Sequence, residues 1–317
     1  MVKMFYKSNI YAIVGSNNNP ELKQDEVIIW NDLNSKIIYK FLIKKKVLNL
    51  ILTFDKIIIV CRTNIYVFNL KKDLKNFQLI DIIKTGINDF GLVAINDNKD
   101  IIKQGVNNMG QEALNYNKET ILVYPSTEES KGKLTIKNYI SKNYIYLNPH
   151  NSNISYIALS NDGKLLATAS KEGEKIRIFD AKTGEYLDEL YRKKENNNNI
   201  KFIFFDSENQ YIAASCQNGL IHIWSLKKSM INIGESSKKP FGKETENINV
   251  SNIHGIISNK ESSIKRIILK DKDYENIIFG NSNSLIIITS NEEYFIVKFS
   301  VNQEKDDYKI IKKEQLF

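Results

Sequence analysis

Short apolar, β-branched stretches recur along the whole chain, at Ile10–Val14, Val27–Trp30, Lys56–Cys61, Asn64–Phe68, Thr120–Tyr124, Ile176–Phe179, Leu220–Trp224, Leu285–Thr289 and Tyr294–Phe299. Turn formers lie between them: Asn161-Asp162-Gly163, Glu172-Gly173, Asn218-Gly219 and Asn281-Ser282-Asn283. Convincing helical periodicity is almost absent. The pattern predicts an all-β protein of short strands, a sandwich, barrel or propeller.

Internal repetition separates those three. Residues 156–180 lie over residues 202–226, with one extra residue in the first copy. Each copy reads as a strand, a polar turn and a small-residue strand (Ala167-Thr168-Ala169-Ser170 or Ala213-Ala214-Ser215-Cys216). A Gly turn and a strand closing on an aromatic follow. The closing element recurs at Trp30, Phe68, Tyr124, Phe179, Trp224 and Phe299. Phe179 and Trp224 are 45 residues apart, within the ~40–45 residues of a four-stranded WD-type blade. Wider gaps before Tyr124 and Phe299 predict loop insertions. Six recognisable four-stranded blades of one β-propeller domain, residues 1–317, are expected.

Composition narrows the function classes. Of the 317 residues, 42% are hydrophobic and 26% charged, as in ordinary soluble globular proteins. Two cysteines, Cys61 and Cys216, exclude a disulfide framework and suit a reducing compartment. Three histidines, His150, His222 and His254, are too scattered for a zinc finger. No stretch approaches a membrane-spanning length, and Met1–Tyr6 lacks the features of a signal peptide. An intracellular protein is expected, and its net charge of +8 favours acidic partners. There is no Gly-x-Ser-x-Gly elbow, phosphate-cradling Gly loop or His-Glu-x-x-His, so neither enzymatic activity nor a metal or cofactor is expected. No aromatic-basic RNA motif accompanies the charge, so no nucleic-acid partner is expected. A monomer is expected.

The repeats resemble the PROPPINs, the phosphoinositide-binding propellers called WIPI proteins in animals. Val2-Lys-Met-Phe-Tyr6, Ala12-Ile-Val-Gly15 and Val27-Ile-Ile-Trp-Asn-Asp-Leu33 look like that family's second blade. The densest match comprises Asn148-Pro-His150, Leu165–Ser170, Ile176–Phe179, Thr183-Gly184 and Ser215 through Ile221-His-Ile223. Residues 72–120 match poorly. The resemblance implies seven blades, of which this chain would lack the first. That leaves either a seventh blade encoded upstream or six blades that close on themselves.

The family's Phe/Leu-Arg-Arg-Gly motif supplies one Arg to each of two headgroup pockets. The matching residues here are Leu190-Tyr191-Arg192-Lys193, so Tyr191 replaces the first Arg and Lys193 the Gly. By resemblance, one pocket uses His150, Thr168 or Ser170, and Arg177. The other uses Arg192, Ser215 and His222, and is favoured because it retains its motif Arg. The chemistry fits, since a phosphorylated headgroup needs cations plus hydroxyl and imidazole donors. Arg177 and His222 also interrupt apolar strands, where burial without a partner is costly. Structural pairing and ligand contact are therefore both open for them.

An insertion at about 228–262 occupies the position of the family's membrane-dipping loop. Lys238, Lys239 and Lys243 around Phe241 suit an anionic surface, each contributing about 1 kcal/mol there. A flexible insertion without membrane contact is the competing reading. The resemblance implies a scaffold that binds phosphatidylinositol 3-phosphate or the 3,5-bisphosphate on endosomal, vacuolar or autophagic membranes. It would be cytoplasmic and peripheral, with an autophagy or lipid-transfer protein as partner. The alternative is a lipid-independent protein-interaction scaffold.

Overall fold

The computed structural model describes residues 1–5, 8–16, 22–70, 77–96, 120–127, 131–171, 173–192, 199–217, 219–226, 248–249, 261–262, 265–268, 274–280, 283–289, 293–300 and 308–315. Among these there is no helix. The strands fall into six sheets, four of four strands and two of five.

The first compact unit takes in residues 1–93, 97–118 and 124–129. One of its sheets comprises β1 (Val2–Met4), β2 (Ile10–Ile13), β3 (Glu26–Asn31) and β4 (Lys36–Leu42). The other comprises β5 (Val47–Leu52), β6 (Lys56–Cys61), β7 (Asn64–Leu70) and β8 (Phe77–Lys84). Both are antiparallel meanders in chain order. Strand β6 is buried at every position, including Lys56, whose ammonium pairs with Asp55. The two sheets share a core that runs from Ile10 and Val27 through Phe41 to Leu50, Ile57 and Ile59. Each fully buried Ile or Leu contributes about 1.5–3 kcal/mol of transfer free energy.

The second unit takes in residues 94–96, 119–123 and 130–317. Its first sheet contains β9 (Ala94–Ile95), β10 (Ile121–Pro125), β11 (Leu134–Asn138) and β12 (Tyr144–Asn148). The next contains β13 (Ile154–Leu159), β14 (Leu165–Ser170), β15 (Lys175–Asp180) and β16 (Tyr186–Tyr191). Strands β17 (Ile200–Phe205), β18 (Tyr211–Cys216) and β19 (Leu220–Ser225) begin the third. From the insertion come β20 (Ile248–Asn249) and β21 (Glu261–Ser262), which pair in parallel with β12 and β16 as fifth strands. Strand β22 (Lys265–Ile268) completes the third sheet beside β19. The last sheet is β23 (Tyr274–Phe279), β24 (Ser284–Thr289), β25 (Glu293–Phe299) and β26 (Tyr308–Gln315).

The repeat seen in the sequence reappears in the pairing register. Leu166 lies opposite Phe179 and Ile212 opposite Trp224, so the closing aromatics are equivalent. A bulge falls immediately before Trp30, Phe68 and Phe179 in the pairing of third and fourth strands. A bulge adds local twist, which turns the outer strand of these three sheets at the same point. Two of the cores among the described residues lie in the second unit. One lies between the β13–β16 and β17–β19 sheets, around Ala167, Ile176, Leu190, Ala214 and Trp224. The other lies between the β17–β19 and β23–β26 sheets, around Ala213, Ile221, Ile223, Leu285 and Val297.

Candidate functional site

Alternation along β14, β15 and β16 divides their side chains between two faces, and the polar residues of one face lie beyond the buried Leu166–Phe179 pair. Ala167, Ala169, Ile176, Ile178 and Leu190 face the core shared with β17–β19. The other face carries Thr168 opposite Arg177, Arg177 opposite Glu189, and Lys175 opposite Tyr191. Ser170, two positions beyond Thr168, is buried on that same face.

These side chains form one connected group. Arg177 Nε donates to Glu189 Oε2 at 2.8 Å, and Arg177 Nη1 donates to the Pro149 carbonyl. Lys175 Nζ lies 3.1 Å from Glu189 Oε1, and the Tyr191 hydroxyl donates to that same oxygen. The Lys175 ammonium also sits 5.0 Å from the centroid of the Tyr191 ring. His150 Nε2 and Thr168 Oγ1 share a hydrogen bond of 3.0 Å, and both residues are buried. The side chain of Lys175 is 38% exposed and that of Arg177 20%, against 7% for Glu189. The cations therefore stand toward solvent, with the carboxylate beneath them.

The electrostatics follow from that layering. Burial, helped by the positive charges of Arg177 and Lys175, pushes the His150 imidazole down to about 4, so it is neutral at physiological pH. Burial opposes ionisation of Glu189, but hydrogen bonds from Tyr191, Arg177 and Lys175 outweigh it and hold the carboxyl below its usual range. Burial also works against the Lys175 ammonium, yet Tyr191 and Glu189 raise it above its ordinary value. Two cations and one carboxylate leave this face with a net positive charge.

Arg192 follows Tyr191 and points to the opposite side of the sheet. It is only 5% exposed. Its Nε donates to the Gly173 carbonyl, and its Nη1 approaches Cys216 Sγ at 3.4 Å. Gly173 has a φ of +65°, and a Cβ there would meet Arg192 Nη2 at 2.8 Å. The glycine lets the guanidinium lie against the backbone. His222 lies opposite Ala214, is buried, and stacks on Trp224 with ring centroids 5.5 Å apart. Ala214 and Trp224 face the core beside Arg192.

Ser215 does not join that group. It lies opposite Ile221, on the face of β18 that packs toward β23–β26 with Ala213 and Ile221. Its Oγ is buried there without a hydrogen-bond partner among the described residues. The structure does not bring the expected set of Arg192, Ser215 and His222 together on one face, because strand alternation puts Ser215 and His222 on opposite faces. The favoured pocket is thus the less complete one. His150, Thr168 and Arg177 are brought together, with Ser170 on their face.

Sequence reasoning missed Lys175 and Glu189. Lys175 carried a signal, because it alternates with Arg177 on one strand. Glu189 is identified only through the pairing of β15 with β16. Lys238, Lys239, Phe241 and Lys243, the expected membrane-contact residues, lie outside the described residues. Among the described residues no cluster of His, Cys, Asp and Glu is arranged to hold a metal ion.

The chain shares 26% identity over 242 residues with autophagy-related protein 18e of Arabidopsis thaliana, covering 76% of this chain and 58% of that protein. It spans 43% of autophagy-related protein 18 of Scheffersomyces stipitis. It therefore covers about half the length of the curated relatives it matches. A solved Kluyveromyces lactis Hsv2 structure superposes with a TM-score of 0.71 at 16% identity, covering 99% of this chain and 86% of that one. The complex of KlAtg21 with the coiled-coil of AgAtg16 superposes at 0.73 with 18% identity, covering 100% and 85%. These likenesses show the β-propeller fold. Residues 2–241 match the PROPPIN family model, and the chain belongs to the PROPPIN family.

Proposed function

We propose that this chain is a non-enzymatic scaffold that binds a phosphorylated inositol headgroup, phosphatidylinositol 3-phosphate or the 3,5-bisphosphate. It is recruited to cytoplasmic faces of autophagic or endolysosomal membranes. The carrying observation is the cation pair Lys175 and Arg177, which stands toward solvent above Glu189 and beside His150 and Thr168. A phosphate monoester is recognised by such a grouping, with Arg supplying a planar pair of donors and Lys a point charge. Arg192 and His222 behind the same sheet are the second element of the reading.

The proposal takes residues 1–317 as one propeller domain and assigns membrane contact to Lys238, Lys239, Phe241 and Lys243. It also includes a protein partner. KlAtg21 is a structural neighbour solved with the coiled-coil of AgAtg16, which favours a coiled-coil protein as the partner class here. The lipid-independent scaffold is a second reading, favoured by the engagement of both cations with Glu189.

Flotation with vesicles containing phosphatidylinositol 3-phosphate tests the choice. The first reading expects binding to those vesicles and none to phosphatidylinositol vesicles at the same ionic strength. Equal recovery with both vesicle types overturns it.

A further inference from the structure

We propose that Glu189 is an internal anion that occupies the phosphate position of this face, so that a ligand phosphate must displace or outcompete it. This rests on the headgroup reading above. The geometry carries it. One carboxylate oxygen receives Arg177 Nε at 2.8 Å, and the other takes both Lys175 Nζ at 3.1 Å and the Tyr191 hydroxyl. These are the groups a phosphate monoester would recruit from β15 and β16. Glu189 is the least exposed of the charged trio, so it cannot withdraw into water as a surface carboxylate would. His150 adds no positive charge, because it is buried and neutral. The face therefore offers one net positive charge to a dianion rather than two. Glu189 then sets both affinity and selectivity, rejecting weakly charged anions that cannot compete with a carboxylate already in place.

The test compares wild type, Glu189→Gln and the Glu189→Gln/Arg177→Ala double variant on vesicles containing phosphatidylinositol 3-phosphate, at constant ionic strength. Gln keeps the shape and an acceptor for Tyr191 while removing the charge. The proposal expects binding by Glu189→Gln to tighten about tenfold, the order expected from removing a like charge a few ångströms from the ligand. The double variant is expected to lose that gain. Titration with inorganic phosphate forms a second arm. A gain there as well as on vesicles supports an internal competitor for phosphate in general, and a gain on vesicles alone supports one matched to the lipid headgroup.

Binding by Glu189→Gln that is equal to or weaker than wild type overturns the proposal and makes Glu189 a positioning residue for Arg177, leaving the headgroup reading intact. Absence of vesicle binding by both proteins overturns both. Should Glu189→Gln fail to fold, Glu189→Asp substitutes for it, because its shorter side chain draws the carboxylate back from both cations. A smaller gain supports the proposal, and no gain overturns it.

Discussion

Tyr191 and Arg192 are neighbours in sequence and project to opposite faces of one sheet. The Tyr191 hydroxyl donates to Glu189 on the polar face, whereas Arg192 Nε donates to the Gly173 carbonyl on the side of Cys216. A single dipeptide at the end of β16 thereby serves two distinct environments. The motif of two consecutive arginines that the sequence resembles has the same logic, since consecutive residues of a strand cannot share a face. Here only the second position keeps its guanidinium.

Arg192 is buried and bonded to backbone, so its removal is expected to cost stability before it costs binding. Arg192→Ala leaves the Gly173 carbonyl without its charged donor and opens a cavity beside Cys216. The expected loss is about 2–4 kcal/mol, read as a lower urea midpoint with an unchanged slope. A midpoint equal to wild type would mean that Arg192 contributes nothing to the fold.

The His150 imidazole gives a pH dependence of definite sign. Its value falls from 6.5 in the unfolded chain to about 4 in the folded one. The unfolded chain therefore binds more protons between those limits, and stability declines as pH drops through that window. The full effect is about 3 kcal/mol. Glu189 acts in the same direction at lower pH, since its depressed value stabilises the fold above the usual carboxylate range and that contribution fades as the group protonates. Urea midpoints at pH 7.5 and 5 should show a smaller difference for His150→Gln than for wild type. Equal differences would place the proton uptake elsewhere.

Tyr191→Arg restores a guanidinium at the first motif position, beside Glu189 and opposite Lys175. The added cation offsets the carboxylate on the exposed face. Affinity for phosphoinositide vesicles is expected to rise about tenfold, the scale of one charge-assisted hydrogen bond to phosphate. Flotation at fixed ionic strength measures it, and an unchanged affinity would mean that headgroups do not approach this side of the sheet.

The blade plan was legible because each blade repeats the same local chemistry. Apolar strands close on Trp30, Phe68, Phe179 or Trp224, and three of these aromatics follow a bulge at the same place. The polar face was only half legible. Thr168 and Arg177 stand out as hydrophilic positions in apolar strands, yet Glu189 acquires meaning only when β16 pairs with β15 in a particular register. The placement of Ser215 follows from the same physical rule. The family resemblance implied a ligand contact for it, but the repeat sets it over Ala169, which faces a core, whereas Ala214 and Cys216 match Thr168 and Ser170. Composition cannot report which face a residue takes, whereas the aligned repeat carried that information.

The central claim is that the polar face of β14, β15 and β16 receives a phosphorylated headgroup, and Arg177 is its most direct probe. Arg177 donates to Glu189 and to the Pro149 carbonyl, yet its side chain remains 20% exposed. The measurement is vesicle binding by wild type and Arg177→Ala, on phosphatidylinositol 3-phosphate membranes at matched ionic strength and with equal urea midpoints as the folding control. A loss of about 10-fold to 100-fold is predicted, the value of one charged hydrogen-bonding group on phosphate. Equal binding by the two proteins would contradict the account.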